Sequence, residues 1–106
     1  MAMDLNKLMK QAQEMQAQMA KAQEELKNET VEASAGGGMV TVKATGGLEI
    51  VEIKISPDAI DPDDPDLLAD MVLAAVNEAL RSAQSLVESK LGSAMGGLQG
   101  LGLPGL

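Results

Sequence analysis

The sequence predicts an α+β subunit of order α–β–β–β–α, with a three-stranded antiparallel meander between two helices, and self-pairing into a homodimer. Three observations carry this. Residues 5–27 contain neither Gly nor Pro and repeat apolar side chains at helical spacing. Residues 29–56 instead alternate with period two and are interrupted by Gly36-Gly37-Gly38 and Gly46-Gly47. A second long helical pattern then follows an Asp/Pro cluster.

In the first helix, Leu5, Leu8, Ala12, Met15, Met19, Ala22 and Leu26 are spaced 3, 4, 3, 4, 3, 4. This is the a/d seam of a helix that packs on another helix. A helix lying on its own domain would show the same stripe. The narrow seam and its Gln- and Lys-rich flanks favour a second subunit, so these seven residues are the expected dimer interface.

Glu29 to Ala35 reads as the first strand and Met39 to Thr45 as the second. Val40, Val42 and Ala44 alternate there against Thr41, Lys43 and Thr45. Leu48 to Ser56 reads as the third, and its phase slips between Ile50 and Val51, which predicts a bulge or a strand apolar on both faces. Asp64 as N-cap with Pro65 at the first helical position opens the second helix. Leu68, Val72, Ala75, Val76, Ala79, Ala83, Leu86, Val87 and Leu91 form its buried stripe, wide enough to cover one sheet face. The helix is expected to end near Gly92. Residues 1–92 then form the domain, and 93–106 a flexible Gly- and Leu-rich tail.

The chain has 106 residues and no Phe, Tyr or Trp, so a single copy has a thin core and self-association is the simplest remedy. With no Cys and no His, disulfides, thiolate metal sites and Ser–His or Cys–His nucleophiles are all excluded. Matched to a calcium loop from Asp61, the acidic cluster places Pro65, Asp66 and Val72 at the fifth, sixth and twelfth positions, so it reads as a helix-capping loop. The Gly100–Gly105 run spells GxGxxG but lies between no strand and helix, and Gly36–Gly38 precedes no Lys-Ser/Thr. The reading is a binding protein, not an enzyme, with no cofactor, metal or small-molecule substrate. The N-terminus lacks the pattern of a signal peptide, and the longest apolar run, Met71 to Val76, is too short to span a bilayer, so a cytoplasmic protein without a membrane partner is expected.

The net charge of −8 opposes nucleic acid as a partner when taken globally, but it is unevenly placed. Residues 1–23 carry Lys7, Lys10 and Lys21 against Asp4 and Glu14, which is +1. Residues 57–70 carry six Asp and no base, which is −6. On the heptad wheel the three lysines point away from the seam. From chemistry alone they read as helix decoration, with Lys10–Glu14 and Lys21–Glu25 as i, i+4 pairs. Arg81 has Glu78 beside it on the same helix face.

The run Leu5-Asn6-Lys7-Leu8-Met9-Lys10-Gln11-Ala12-Gln13-Glu14-Met15-Gln16 resembles the opening helix of the YbaB/EbfC family of bacterial nucleoid-associated proteins. So do Met39-Val40-Thr41-Val42 after the glycine turn, Ile53-Lys54-Ile55-Ser56-Pro57, Asp64 to Ala79, and the Gly96-Gly97 and Leu103-Pro104-Gly105 tail. The resemblance covers nearly the whole chain. It implies a homodimer with helices projecting like the arms of tweezers, which binds double-stranded DNA with little sequence specificity, alters its conformation, and contributes to nucleoid organisation and gene regulation. Lys7, Lys10, Lys21, Arg81 and Lys90 are the candidate DNA contacts. The rival is a dimeric protein-interaction module that does not touch DNA.

Overall fold

The computed structural model describes residues 4–99, with side chains through Ala94. Helix α1 (Leu5–Asn28) is followed by β1 (Thr30–Ala35), β2 (Val40–Thr45) and β3 (Ile50–Ile55), a short 3₁₀ turn at Pro57–Ala59, and helix α2 (Pro65–Gln99). The α–β–β–β–α order expected from the sequence is the observed one. The strands form one antiparallel sheet in the order β1-β2-β3.

The local signals act as their chemistry requires. Asp4 caps α1, its Oδ1 accepting the Lys7 backbone N–H at 3.1 Å. Asp64 does the same for α2, accepting the Leu67 N–H at 3.2 Å, one residue before Pro65. Gly36, Gly37 and Gly38 all have positive φ, the backbone conformation in which a Cβ is strained. In the β2–β3 pairing Lys43 faces Glu52 but Ala44 faces Ile50, which leaves Val51 as an extra residue. That bulge is the phase slip between Ile50 and Val51.

The core lies between α2 and the sheet. Ala75, Ala79 and Ala83 are completely buried over Val40, Val42 and Ala44, with Val31, Ala33, Ile50, Leu68, Val72 and Val76 around them. The three small α2 residues allow the helix backbone close to the strands. Val40 and Val42 are the largest fully buried side chains, so this core is shallow.

The second helix departs from expectation. It does not end near Gly92 but continues to Gln99, so a tail beginning at residue 93 is corrected over 93–99. A Cβ at Gly92 would meet nothing, because the helix has left the sheet there. A glycine costs only ~1 kcal/mol in a helix interior, which does not by itself end a helix of this length. The rest of the expected tail, 100–106, lies outside the described residues.

The molecule is elongated, with extents of 77 × 25 × 16 Å and a radius of gyration of 20.6 Å. A compact chain of this length would have about 13 Å.

Candidate nucleic-acid interface

Helix α1 runs into β1 through a single residue, Glu29, whose backbone N–H still closes the helix on Glu25 and Leu26. At this junction α1 is docked on its own subunit. Ala22 and Leu26 are buried, and a Cβ at Gly46 would lie 2.5 Å from the Leu26 carbonyl oxygen and 2.8 Å from its Cβ. Glycine is therefore required for the β2–β3 turn to reach the helix.

Further along, Gln18, Lys21, Ala22 and Glu25 line one side of an open cleft whose other side is Lys90, Ser93 and Ala94 of α2. The two helices run antiparallel across it. Lys90 Nζ bridges Glu25 Oε2 at 2.7 Å and Glu29 Oε1 at 3.1 Å. The hydrogen bond and charge of Lys90, with a smaller contribution from the charge of Lys21, lower the Glu25 pKa, and hydrogen bonding with Glu25 and Glu29 raises that of Lys90.

Beyond this clamp α1 projects as an arm. Leu5, Leu8, Met9 and Met15 are exposed, at 66, 44, 61 and 38%. The seam expected to face a second subunit is therefore divided. Leu5, Leu8, Ala12 and Met15 are exposed and Met19 is half-buried, but Ala22 and Leu26 are consumed by the subunit's own core and cannot also face a partner copy. The spacing is compatible with either use; in its last turns the helix is buried on its own subunit.

The five candidate DNA contacts separate as sharply. Arg81 holds Glu78 through Nη2 at 2.8 Å and Nε at 3.1 Å. Lys90 holds two carboxylates and is only 28% exposed. Lys27 is paired with Glu24, and Lys43 and Lys54 with Glu52. Among the described residues, Lys7, Lys10 and Lys21 are the basic side chains without a carboxylate partner, and all three are exposed. The i, i+4 pairs Lys10–Glu14 and Lys21–Glu25 do not form; Glu25 turns to Lys90 instead. Nothing local in the sequence reveals that Lys90 lies beside Glu25 and Glu29.

The acidic segment is at the other end of α2. Asp61 Oδ1 accepts the Asp63 N–H at 2.9 Å and Asp64 caps the helix, so two of these carboxylates have local structural work. Asp70 precedes Lys90 by twenty residues, which is about 30 Å of helix. The arm leaves Lys90 in the direction away from Asp70. Its lysines are thus well beyond a Debye length, about 8–10 Å, from the acidic cluster.

No described helix is long and apolar enough to cross a membrane.

The model of the YbaB/EbfC DNA-binding family matches residues 1–98. A nucleoid-associated protein of Acetivibrio thermocellus is 56% identical over 103 residues, covering 97% of this chain and 89% of that one. A nucleoid-associated protein of Ruminiclostridium cellulolyticum is 52% identical over 103 residues, covering 97% and 88%. Among solved structures, an uncharacterized protein of Helicobacter pylori superposes with a TM-score of 0.73 at 22% identity, covering 89% of this chain and 98% of that one, and so shares its fold.

Proposed function

We propose, since the chain belongs to the YbaB/EbfC DNA-binding family, that it is a nucleoid-associated, non-enzymatic protein of the cytoplasm that binds duplex DNA as a homodimer with little sequence specificity, altering DNA conformation and contributing to nucleoid organisation and gene regulation. The observation that carries this reading is the charge arrangement of the arm. Lys7, Lys10 and Lys21 are exposed and form no ion pair with a carboxylate, although Lys21 lies at the cleft beside Glu25, while every other base among the described residues is paired with one. A net charge of −8 is no obstacle when the acidic cluster lies beyond the screening length.

Two copies supply six such lysines, arranged to contact phosphates. Arg81 and Lys90, committed to Glu78 and to Glu25 and Glu29, leave the set of contacts. With its single Arg paired with Glu78 and so not free to read guanine, discrimination between sequences is weak.

Titration of unrelated duplexes at several salt concentrations tests the reading. Each phosphate contact contributes about 0.9 to the log–log slope, so four to six contacts give roughly −4 to −5. Changing Lys7, Lys10 and Lys21 together to Gln is expected to flatten that slope and weaken binding to all sequences alike, with no change in thermal stability. If the unmodified protein fails to bind duplex even at low salt, the exposed Leu5, Leu8 and Met9 of the arm support a protein-docking role instead.

A further inference from the structure

The arm is anchored at one end and by few contacts. Its buried side chains are Ala22 and Leu26, and from there to the tip every described residue of α1 except Gln11 and Met19 is exposed. Across the cleft α2 offers Ser93 and Ala94, too small to interlock with Gln18 and Lys21, and about 430 Å³ stays open between the helices. Among the described residues, Lys90 alone makes side-chain hydrogen bonds or ion pairs from α2 to α1 and its cap, at 2.7 Å to Glu25 and 3.1 Å to Glu29. These two carboxylates lie four residues apart, about 6 Å along the helix. One bond near a pivot leaves a helix free to turn about it, whereas two bonds a turn apart fix its direction.

We propose that the Lys90–Glu25–Glu29 clamp is a positioning device for DNA binding: it aims the arm so that Lys7, Lys10 and Lys21 reach phosphates together, without touching DNA itself. The inference rests on the DNA reading and names residues that act on that site from a distance.

Leverage makes the aim matter. Lys7 lies eighteen residues from Glu25, about 27 Å along the helix. A swing of about 10° at the clamp moves Lys7 by about 5 Å, more than the ~3.4 Å step between phosphates along a strand. An arm released from Lys90 spreads over many directions, and only the fraction aimed at the duplex binds. Apparent affinity falls by that fraction, while the contacts made in the bound complex, and so the salt slope, stay the same. Charge gives the proposal a distinctive sign. Glu25 and Glu29 are negative groups at the base of the arm in a chain of net charge −8, so Coulomb attraction alone predicts that removing them strengthens DNA binding. Positioning predicts the reverse.

Duplex titration of the full-length protein at several salt concentrations tests this. Glu25→Ala with Glu29→Ala is expected to weaken binding about 10-fold at fixed salt, with the slope unchanged. Lys90→Glu should weaken it at least as much. Adding Glu25→Lys, which reverses the pair, should restore affinity to within about threefold, whereas Glu24→Lys, which restores the charge but not the pair, should not. A spin-label distance reports the aim directly, with no DNA present. The chain has no cysteine, so Gln13→Cys and Asn77→Cys place one label on the arm and one on an exposed position of α2. In labelled protein diluted into unlabelled protein the distance distribution should be narrow, and it should broaden in the double alanine variant.

Equal or tighter binding by the double alanine variant overturns the proposal, as does a distance distribution that this variant leaves unchanged. A shallower salt slope in Lys90→Gln, by about 0.9 for each phosphate lost, also overturns it, because Lys90 would then be a direct contact. These three results leave the DNA reading standing. An unmodified protein that binds no duplex even at low salt ends the DNA reading, and this proposal with it.

Discussion

The two helices carry equally clear apolar stripes and use them differently. In α2 the stripe is covered by the chain itself: Ala75, Ala79 and Ala83 are at 0% exposure on the sheet. In α1 only the last two turns are covered, through Ala22 and Leu26, while Leu5 and Leu8 stand in water. Side-chain size explains part of the difference. Alanines at i, i+4 and i+8 let a helix lie flat on a pleated surface, whereas a Leu/Met stripe keeps its neighbour at a distance. Connection explains the rest. Joined to β1 through one residue, α1 meets the sheet only near that junction and α2 over its C-terminal half. A periodic stripe thus identifies the face to be buried, and topology decides what covers it.

The largest effect that would break this contrast is overpacking of the covered stripe. Ala79→Leu inserts a branched side chain against Val40 and Val42 and is expected to cost about 2–3 kcal/mol, measured by urea unfolding. The matching substitution on the arm, Ala12→Leu, should change stability by no more than about 0.5 kcal/mol, since Ala12 is exposed. Equal costs at the two positions would mean that the arm is as firmly packed as α2.

A smaller loss is expected at the junction. Gly46→Ala forces the β2–β3 turn away from the Leu26 backbone, costing about 1–2 kcal/mol. Hydrogen exchange should show this as loosened amides over the last turns of α1, with those of Ala75 to Ala83 unchanged.

The smallest effect concerns the clamp, and its pH dependence has a defined sign. Glu25 is held below its ordinary value of 4.5, so its contribution is complete above that value and is lost as pH falls through the depressed folded pKa. Lys90 is raised above 10.5, so its contribution is complete below that value and is lost as pH rises through the elevated one. The attachment of α1 should be constant across neutral pH and weaken at both extremes. Lys90→Met should remove both limbs and leave a flatter stability–pH profile. Unchanged limbs in that variant would assign the dependence to other groups. The chain contains no histidine, so duplex binding itself should not vary between pH 6 and 8.

Much of this was legible in the sequence because the signals were local. The Asp64 cap, the glycine turns, the bulge near Val51 and the Glu78–Arg81 pair each depend on residues within a few positions of one another. The order of elements followed from period alone. What could not be read were the contacts between distant segments. Lys90 looked like a free base because Glu25 and Glu29 are more than sixty residues away in the chain. The exposure of Ile53 and Ile55 could not be read either, because alternation marks a face without saying whether a helix reaches it. The end of α2 was placed early because Gly92 was read as a stop, although a glycine far from any neighbour is only a mild weakness in a long helix. Of the candidate contacts, Lys7, Lys10 and Lys21 remain exposed for a simpler reason: the segment that carries them touches little else.

The single-residue link at Glu29 makes α1 a ruler and not a tether. Lys7 and Lys21 are separated by fourteen residues, about 21 Å along a continuous helix. Successive phosphates along one DNA strand are about 3.4 Å apart in projection on the helix axis. On the proposed reading, each arm then spans roughly six base pairs, a length fixed by protein geometry whatever the sequence beneath it. DNA whose backbone did not match that interval would have to bend or twist to meet it, so a stiff arm could reshape the duplex without reading a single base.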